Sequence, residues 1–160
     1  MIIVSDTTPL SELAKVGQLN LLRDMFGQVI IPEEVYNEVT TGTHPAVSAV
    51  QSATWIEVRS VSDIHKVSAL QDTTQLDLGE CAAIILAEEL GVDQLLIDDL
   101  AARRVALSRN LPIIGTIGTL LLAKDQGLIP SVKEVLDALI AQGKRISQRL
   151  YQEALAVAQE

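Results

Sequence analysis

The sequence predicts an α/β fold, a three-layer α/β/α sandwich around a central, mainly parallel sheet of about five strands. Short apolar runs recur at residues 2–4, 29–31, 55–58, 95–97 and 112–114, and helix-like stretches fill the gaps between them. Strands that alternate with helices form βα units, whose strands lie parallel with helices on both faces. Cys81 to Ala87 are seven consecutive apolar residues, and a helix that is apolar nearly all round belongs in the centre of a fold. Two of the runs end in acid: Ile2-Ile3-Val4 leads into Ser5-Asp6, and Leu95-Leu96-Ile97 into Asp98-Asp99. In an open parallel sheet, ligands bind in the crevice outside the carboxyl ends of the strands. That crevice is therefore expected to be acidic.

Residues 2–4 are a β-branched run fit for a buried strand. Thr8 is expected to cap the next helix, with Pro9 at its first position and Leu10, Leu13 and Ala14 on its apolar face. A second helix, Leu19 to Phe26, stops at Gly27. Val29-Ile30-Ile31 is a strand ended by Pro32, and Glu33 to Thr40 is helical with Val35 and Val39 on one face. His44-Pro45 opens a helical segment to Ser52, followed by the strand Trp55 to Val58. Residues 60–76 are mixed and polar, which predicts a loop with a short helix. From Asp77 the apolar helix runs to Gly91.

Leu95 to Ile97 is a strand, Leu100 to Arg109 a helix, and Pro112 to Ile114 a strand entering Gly115-Thr116. Ile117 to Lys124 is helical. Ser131-Val132-Lys133-Glu134 fits a capping box and opens a helix to Gln142, stopped by Gly143. Ser147 caps a last helix on which Leu150, Ala154 and Val157 share a face. Residues 1–160 read as one domain, with C-terminal helices at about 131–159 and no repeats or linkers.

Composition narrows the function. The chain is 48% hydrophobic, and Phe26, Tyr36, Trp55 and Tyr151 are its only aromatics. It therefore lacks the stacking platforms of a single-stranded nucleic-acid binder. A formal charge of −9 argues against a nucleic-acid coat protein, which carries a basic footprint. A nuclease is still allowed, because metal ions invert the potential of an acidic pocket. Cys81 lies among apolar residues and reads as a buried thiol; His44 and His65 read as surface residues. There is no signal segment and no run near the ~20 residues of a membrane span, so a cytoplasmic protein is expected.

The acids carry the chemistry. Asp6 ends a strand and precedes a helix, where it serves as a cap or a ligand. Glu38 sits at the edge of an apolar helix face, one turn after Glu34. Glu80 is either the capping-box partner of Asp77 or a desolvated acid heading the apolar helix, and a buried carboxylate needs a partner or a metal. One of Asp98 and Asp99 can cap the following helix, which leaves the other to explain. Arg103 and Arg104, one turn later, neutralise the pair or grip a phosphate. Gly115-Thr116-Ile117-Gly118-Thr119 follows a strand and opens a helix, where backbone amides and hydroxyls can cradle an anion. A tight strand-to-helix turn explains it equally well.

Together these residues resemble a PIN domain. The resemblance spans the chain through IIVSDTTPLSELAK, IPEEVYNEV, LDLGECAAIILAEELG, LLIDDLAARRVA and LPIIGTIGTLLLAKDQGLI, in that order. It is most similar to the VapC-like prokaryotic branch, in the subgroup with Gly-Glu heading the central helix and a Gly-Thr-x-Gly-Thr turn. The resemblance implies a Mg²⁺- or Mn²⁺-dependent endoribonuclease. Its acids fall on Asp6, Glu38, Glu80 and either Asp98 or Asp99, since Ile97-Asp98 stands where relatives have Thr or Ser and then Asn. Thr7 or Thr116 adds a hydroxyl, while Arg103, Arg104 and Lys124 steer the RNA. Such relatives are usually toxins held by a small antitoxin, and usually homodimers. Leu10, Leu13, Leu150 and Leu155 are the interface candidates.

Two alternatives differ in kind. A receiver- or phosphatase-type phosphoryl-transfer domain also places acids at strand ends, and a non-catalytic PIN-like module would keep the fold alone.

Overall fold

The computed structural model describes residues 1–160. Strand β1 (Ile3–Ser5) leads through α1 (Thr7–Lys15) and α2 (Asn20–Phe26) to β2 (Val29–Pro32). Helices α3 (Glu33–Val39) and α4 (Pro45–Ser52) then reach β3 (Ile56–Arg59). Next come α5 (Ile64–Thr74), α6 (Leu78–Leu90), β4 (Gln94–Leu96), α7 (Leu100–Ser108) and β5 (Ile113–Ile114). Helices α8 (Thr116–Asp125), α9 (Val132–Ala141) and α10 (Gln148–Val157) complete the chain.

All strand pairs are parallel, so the sheet expected to be mainly parallel is wholly so. Its order is β3-β2-β1-β4-β5. The chain builds outward from β1 to β3, then returns to the other side of β1 with β4. Val4 therefore pairs with both Ile30 and Leu95. The reversal opens a crevice between the carboxyl ends of β1 and β4, where open α/β sheets bind their ligands. The Asp6 amide continues the ladder past β1 by bonding Leu96 O at 2.9 Å. Asp6 and the Asp98-Asp99 pair thus flank the switch point.

The sheet is buried under its helices. Ile3, Val4, Leu95, Leu96 and Ile97 have almost no exposed surface, and Cys81 to Ala87 of α6 are equally buried. Full burial of each large aliphatic side chain stabilises the fold by roughly 1.5–3 kcal/mol. Cys81 is a free, buried thiol, as expected. No helix is long and apolar enough to cross a membrane.

Several local expectations change. Residues 60–76 hold an eleven-residue helix, α5, where a loop with a short helix was expected. Asp63 caps it by accepting the His65 amide at 3.0 Å, and Gln75 ends it at φ 64°. Only Val67 and Leu70 of this helix are buried, too few to show a helical period in the sequence. Helix α1 begins at Thr7 with Asp6 in the capping position, two residues earlier than a Thr8 cap would give. His44 is half-buried with its Nδ1 unpartnered, and not the surface residue expected; His65 is exposed.

Three of the proposed interface leucines belong to the core. Leu10 and Leu13 are fully buried and Leu155 nearly so, because α1 and α10 turn these faces inward. Leu150 alone of the four stays open to a partner, at 43% exposure.

Candidate functional site

Asp6 is the deepest acid of the crevice. It stands in the capping position of α1, yet its side chain makes no capping bond and is only 4% exposed. Burial pushes its carboxyl up to about 7 from an ordinary 3.8, against the pull of the Thr7 amide, and the charges of Asp77, Glu38 and Asp98 push the same way. The next residue reaches a different acid: Thr7 Oγ1 donates to Glu38 Oε2 at 2.9 Å. Glu38 in turn lies over Gly79, where any β-carbon would collide with Glu38 Oε2. Glycine before Glu80 is what lets α3 and α6 bring their acids together.

At the head of α6, Asp77 Oδ1 accepts the Glu80 amide at 2.8 Å. The capping box is only half formed, because the Glu80 carboxylate does not return to the Asp77 backbone. Its Oε2 is instead buried with no hydrogen-bond partner. Burial pushes Glu80 up to about 8 from 4.5, and the adjoining Asp77 carboxyl and the charges of Asp99 and Asp6 push the same way. Two neighbouring carboxyls are thus held near neutrality by one crevice.

Across the switch point the two aspartates after β4 part ways. Asp98 turns toward α8, where its Oδ1 accepts the Thr116 amide at 2.7 Å and its Oδ2 the Thr116 hydroxyl at 2.6 Å. Lys144 Nζ stands 3.9 Å from the same Oδ2. A β-carbon at Gly115 would lie 2.9 Å from both Asp98 Oδ1 and Arg103 Nη1, so this turn also requires glycine. Asp99 caps α7, its Oδ2 accepting the Ala102 amide at 2.9 Å. Its other carboxylate oxygen makes no protein hydrogen bond.

The family model described as DUF3368, PIN domain, matches residues 2–160. The chain belongs to the PIN-domain family. No curated protein and no solved structure gives a match. PIN domains are generally nucleases and typically use divalent metals. At that coarse level the chain is a hydrolase with a nuclease fold.

The PIN domain gathers Asp6, Glu38, Glu80, Asp98 and Asp99 at one end of its sheet, and Thr7 joins them. Asp77 is a sixth acid, seen in the sequence only as a cap; its charge reaches both Asp6 and Glu80. Thr116, expected to meet an anion, is fully buried and holds Asp98 instead. Arg103 is tied to the strand end, Nη1 donating to Ile97 O at 2.9 Å. Arg104 is exposed on α7.

Lys124 is not brought to the crevice. It lies about 12 Å along α8 from Thr116, at 1.5 Å per residue, and its Nζ bonds Ala158 O at 2.6 Å and Glu160 Oε2 at 2.9 Å. Lys144 was missed, since a lysine after a glycine stop carries no sequence signal of a site. The crevice is shallow: beside Glu34, Glu38, Asp77, Leu78 and Gly79 lies a recess of ≈ 250 Å³. As they stand, no three of these acids are placed closely enough to hold a metal ion together.

Proposed function

We propose that this PIN domain is a Mg²⁺- or Mn²⁺-dependent endoribonuclease, the toxin of a toxin–antitoxin pair. The observation that carries the reading is Glu80 Oε2, a buried and unpartnered carboxylate oxygen beside the buried Asp6. A protein does not leave such an oxygen without a partner cheaply. The donor set is all hard oxygen, which suits Mg²⁺ or Mn²⁺ over softer metals. Asp6, Glu80 and the free oxygen of Asp99 are the proposed ligands. Asp98, engaged through both oxygens by Thr116, supplies charge at a fixed position, and Glu38 closes the opposite rim.

When bound, such an ion supplies Lewis acidity and a water of lowered pKa for attack on phosphorus. The protein's own part is electrostatic and positional. Thr7 fixes Glu38, and Asp77 fixes the start of α6 and so the placement of Glu80. Burial favours the protonated form of Glu80, and a bound cation would displace that proton. Exposed Arg104 is the proposed steering charge for the RNA backbone. The antitoxin partner, and a homodimer using the face around Leu150, rest on the family resemblance.

The sheet order argues against the receiver alternative, because receiver-type domains follow the order 2-1-3-4-5 and this sheet is β3-β2-β1-β4-β5. The decisive experiment incubates wild type and Glu80→Gln with a labelled RNA in Mn²⁺ and in EDTA. Cleavage by wild type in Mn²⁺ alone is the expected result. A folded wild type that binds Mn²⁺ but leaves RNA intact would make this a non-catalytic PIN module.

A further inference from the structure

The turn between α9 and α10 delivers one cation to the acid crevice. Lys144 follows Gly143, which takes φ +99° to end α9, and its Nζ stands 3.9 Å from Asp98 Oδ2. Its side chain is only 16% exposed. At that distance the contact is an ion pair without a hydrogen bond, and the same oxygen already accepts Thr116 Oγ1 at 2.6 Å. An ammonium has three donors and no acceptor, and although the stem is packed away, Nζ is not among the buried unpartnered atoms, so its donors face the open crevice. Lys124, the other lysine held against the body of the fold, shows the usual solution by donating to Ala158 O and Glu160 Oε2. Lys144 makes no such bond.

Charge around the crevice sharpens the point. Asp6, Glu38, Asp77, Glu80, Asp98 and Asp99 surround it, and Arg103 is turned onto Ile97 O. Lys144 is the one lysine or arginine in ion-pair contact with these acids. It is also held in place. Glu160 accepts from Ser131 Oγ at 2.6 Å, the Val132 amide at 2.7 Å and Lys124 Nζ at 2.9 Å, which pins the end of α10 to the start of α9. Both helices of this hairpin pack on α8, and its turn meets the strand ends through the Lys144–Asp98 pair.

We infer that Lys144 is the phosphate contact of the crevice, its free N–H donors receiving a non-bridging oxygen of the scissile phosphate beside Asp98. The inference rests on the nuclease reading for the identity of that phosphate. It makes α9 and α10 part of the site, since neither β-strand end offers a free cation there. The competing role is a tether that merely screens Asp98. A tether would affect melting and leave phosphate affinity alone.

The test titrates uridine 5′-monophosphate into Mn²⁺-saturated wild type, Lys144→Met and Lys144→Arg by calorimetry, with Mn²⁺ affinity and Tm measured for each. Lys144→Met should weaken the nucleotide about tenfold or more, as loss of a charged hydrogen bond does, and Lys144→Arg should recover most of it. Mn²⁺ affinity should stay within about threefold. Binding of a labelled oligouridylate should lose about 0.7 from its log–log salt slope, the share of one single-strand phosphate contact.

Should Lys144→Met fail to fold, Lys144→Gln carries the same comparison. Unchanged nucleotide affinity in the neutral variant, or no nucleotide binding by wild type, overturns the inference. Lys144-dependent nucleotide binding by a protein that leaves RNA intact would overturn the nuclease reading and leave this one standing. Undiminished RNA cleavage by Lys144→Met would do the reverse.

Discussion

Thr116 holds Asp98 through both carboxylate oxygens, its amide at 2.7 Å from Oδ1 and its hydroxyl at 2.6 Å from Oδ2. The turn expected to cradle an external anion is filled by the protein's own carboxylate. The consequence is a division of labour. Asp98 anchors α8 to the end of β4, and Asp99, one residue on, keeps one oxygen unbonded while its charge reaches Glu80.

This division predicts different outcomes at neighbouring residues. Thr116→Val removes the hydroxyl but keeps the shape, and leaves one Asp98 oxygen short of a donor in a half-buried place. The expected cost is about 1–3 kcal/mol of stability, with Thr116→Ser close to wild type in urea unfolding. Asp99→Asn should unfold much as wild type does but lose more Mn²⁺ affinity than Asp98→Asn. Equal loss of metal binding from both aspartates would remove the distinction.

The pair Thr7–Glu38 and its neighbour Gly79 make a second prediction. In Gly79→Ala the new methyl group collides with Glu38 Oε2. Glu38 is an exposed, flexible side chain and can swing away, so the change in Tm should be small. Swinging away breaks the 2.9 Å bond from Thr7 and takes one acid from the rim. RNA cleavage should therefore fall while melting hardly moves. A Gly79→Ala protein with full activity would show that Glu38 has no part in the site.

The fold was legible because the apolar runs at 2–4, 29–31, 95–97 and 112–114 are dense, and because α6 is apolar around its whole circumference. Asp6 and Glu80 were legible for a related reason: an acid that abuts such a run is desolvated by it. What escaped was set by long-range geometry. Asp77 looked like an ordinary cap, and its second task depends on how α6 packs across β1, β2 and β4 beside Asp6. Lys144 lies 46 positions after Asp98, and only the packing of α9 and α10 brings them together. Leu10 and Leu13 looked like spare apolar surface because sequence does not say which helix covers which face.

Metal should stabilise the protein. Binding to the folded state alone contributes RT ln(1 + [L]/Kd), about 2.7 kcal/mol at one hundred times Kd. Differential scanning in millimolar Mn²⁺ should raise Tm for wild type and fail to do so for Asp6→Asn. A melting curve indifferent to both Mn²⁺ and EDTA would contradict the metal site.

The pH dependence of the metal-free protein follows from the same two acids. Asp6 has an unfolded value near 3.8 and a folded value of about 7, and Glu80 moves from 4.5 to about 8. Between those limits the folded protein keeps protons that the unfolded chain releases. The contribution of these groups is therefore whole below the unfolded values and is lost as pH rises through the folded ones. Urea unfolding in EDTA should show these groups lowering stability from about pH 4 to about pH 8. Asp6→Asn, neutral at every pH, should flatten part of that slope and be the more stable protein at pH 8. Mn²⁺ requires the ionised carboxylates, so its affinity should rise across the same window and its binding should release protons, seen as a buffer-dependent heat in calorimetry. If wild type and Asp6→Asn show the same pH slope in EDTA, Asp6 is ionised in the folded crevice and the desolvation argument for this site fails.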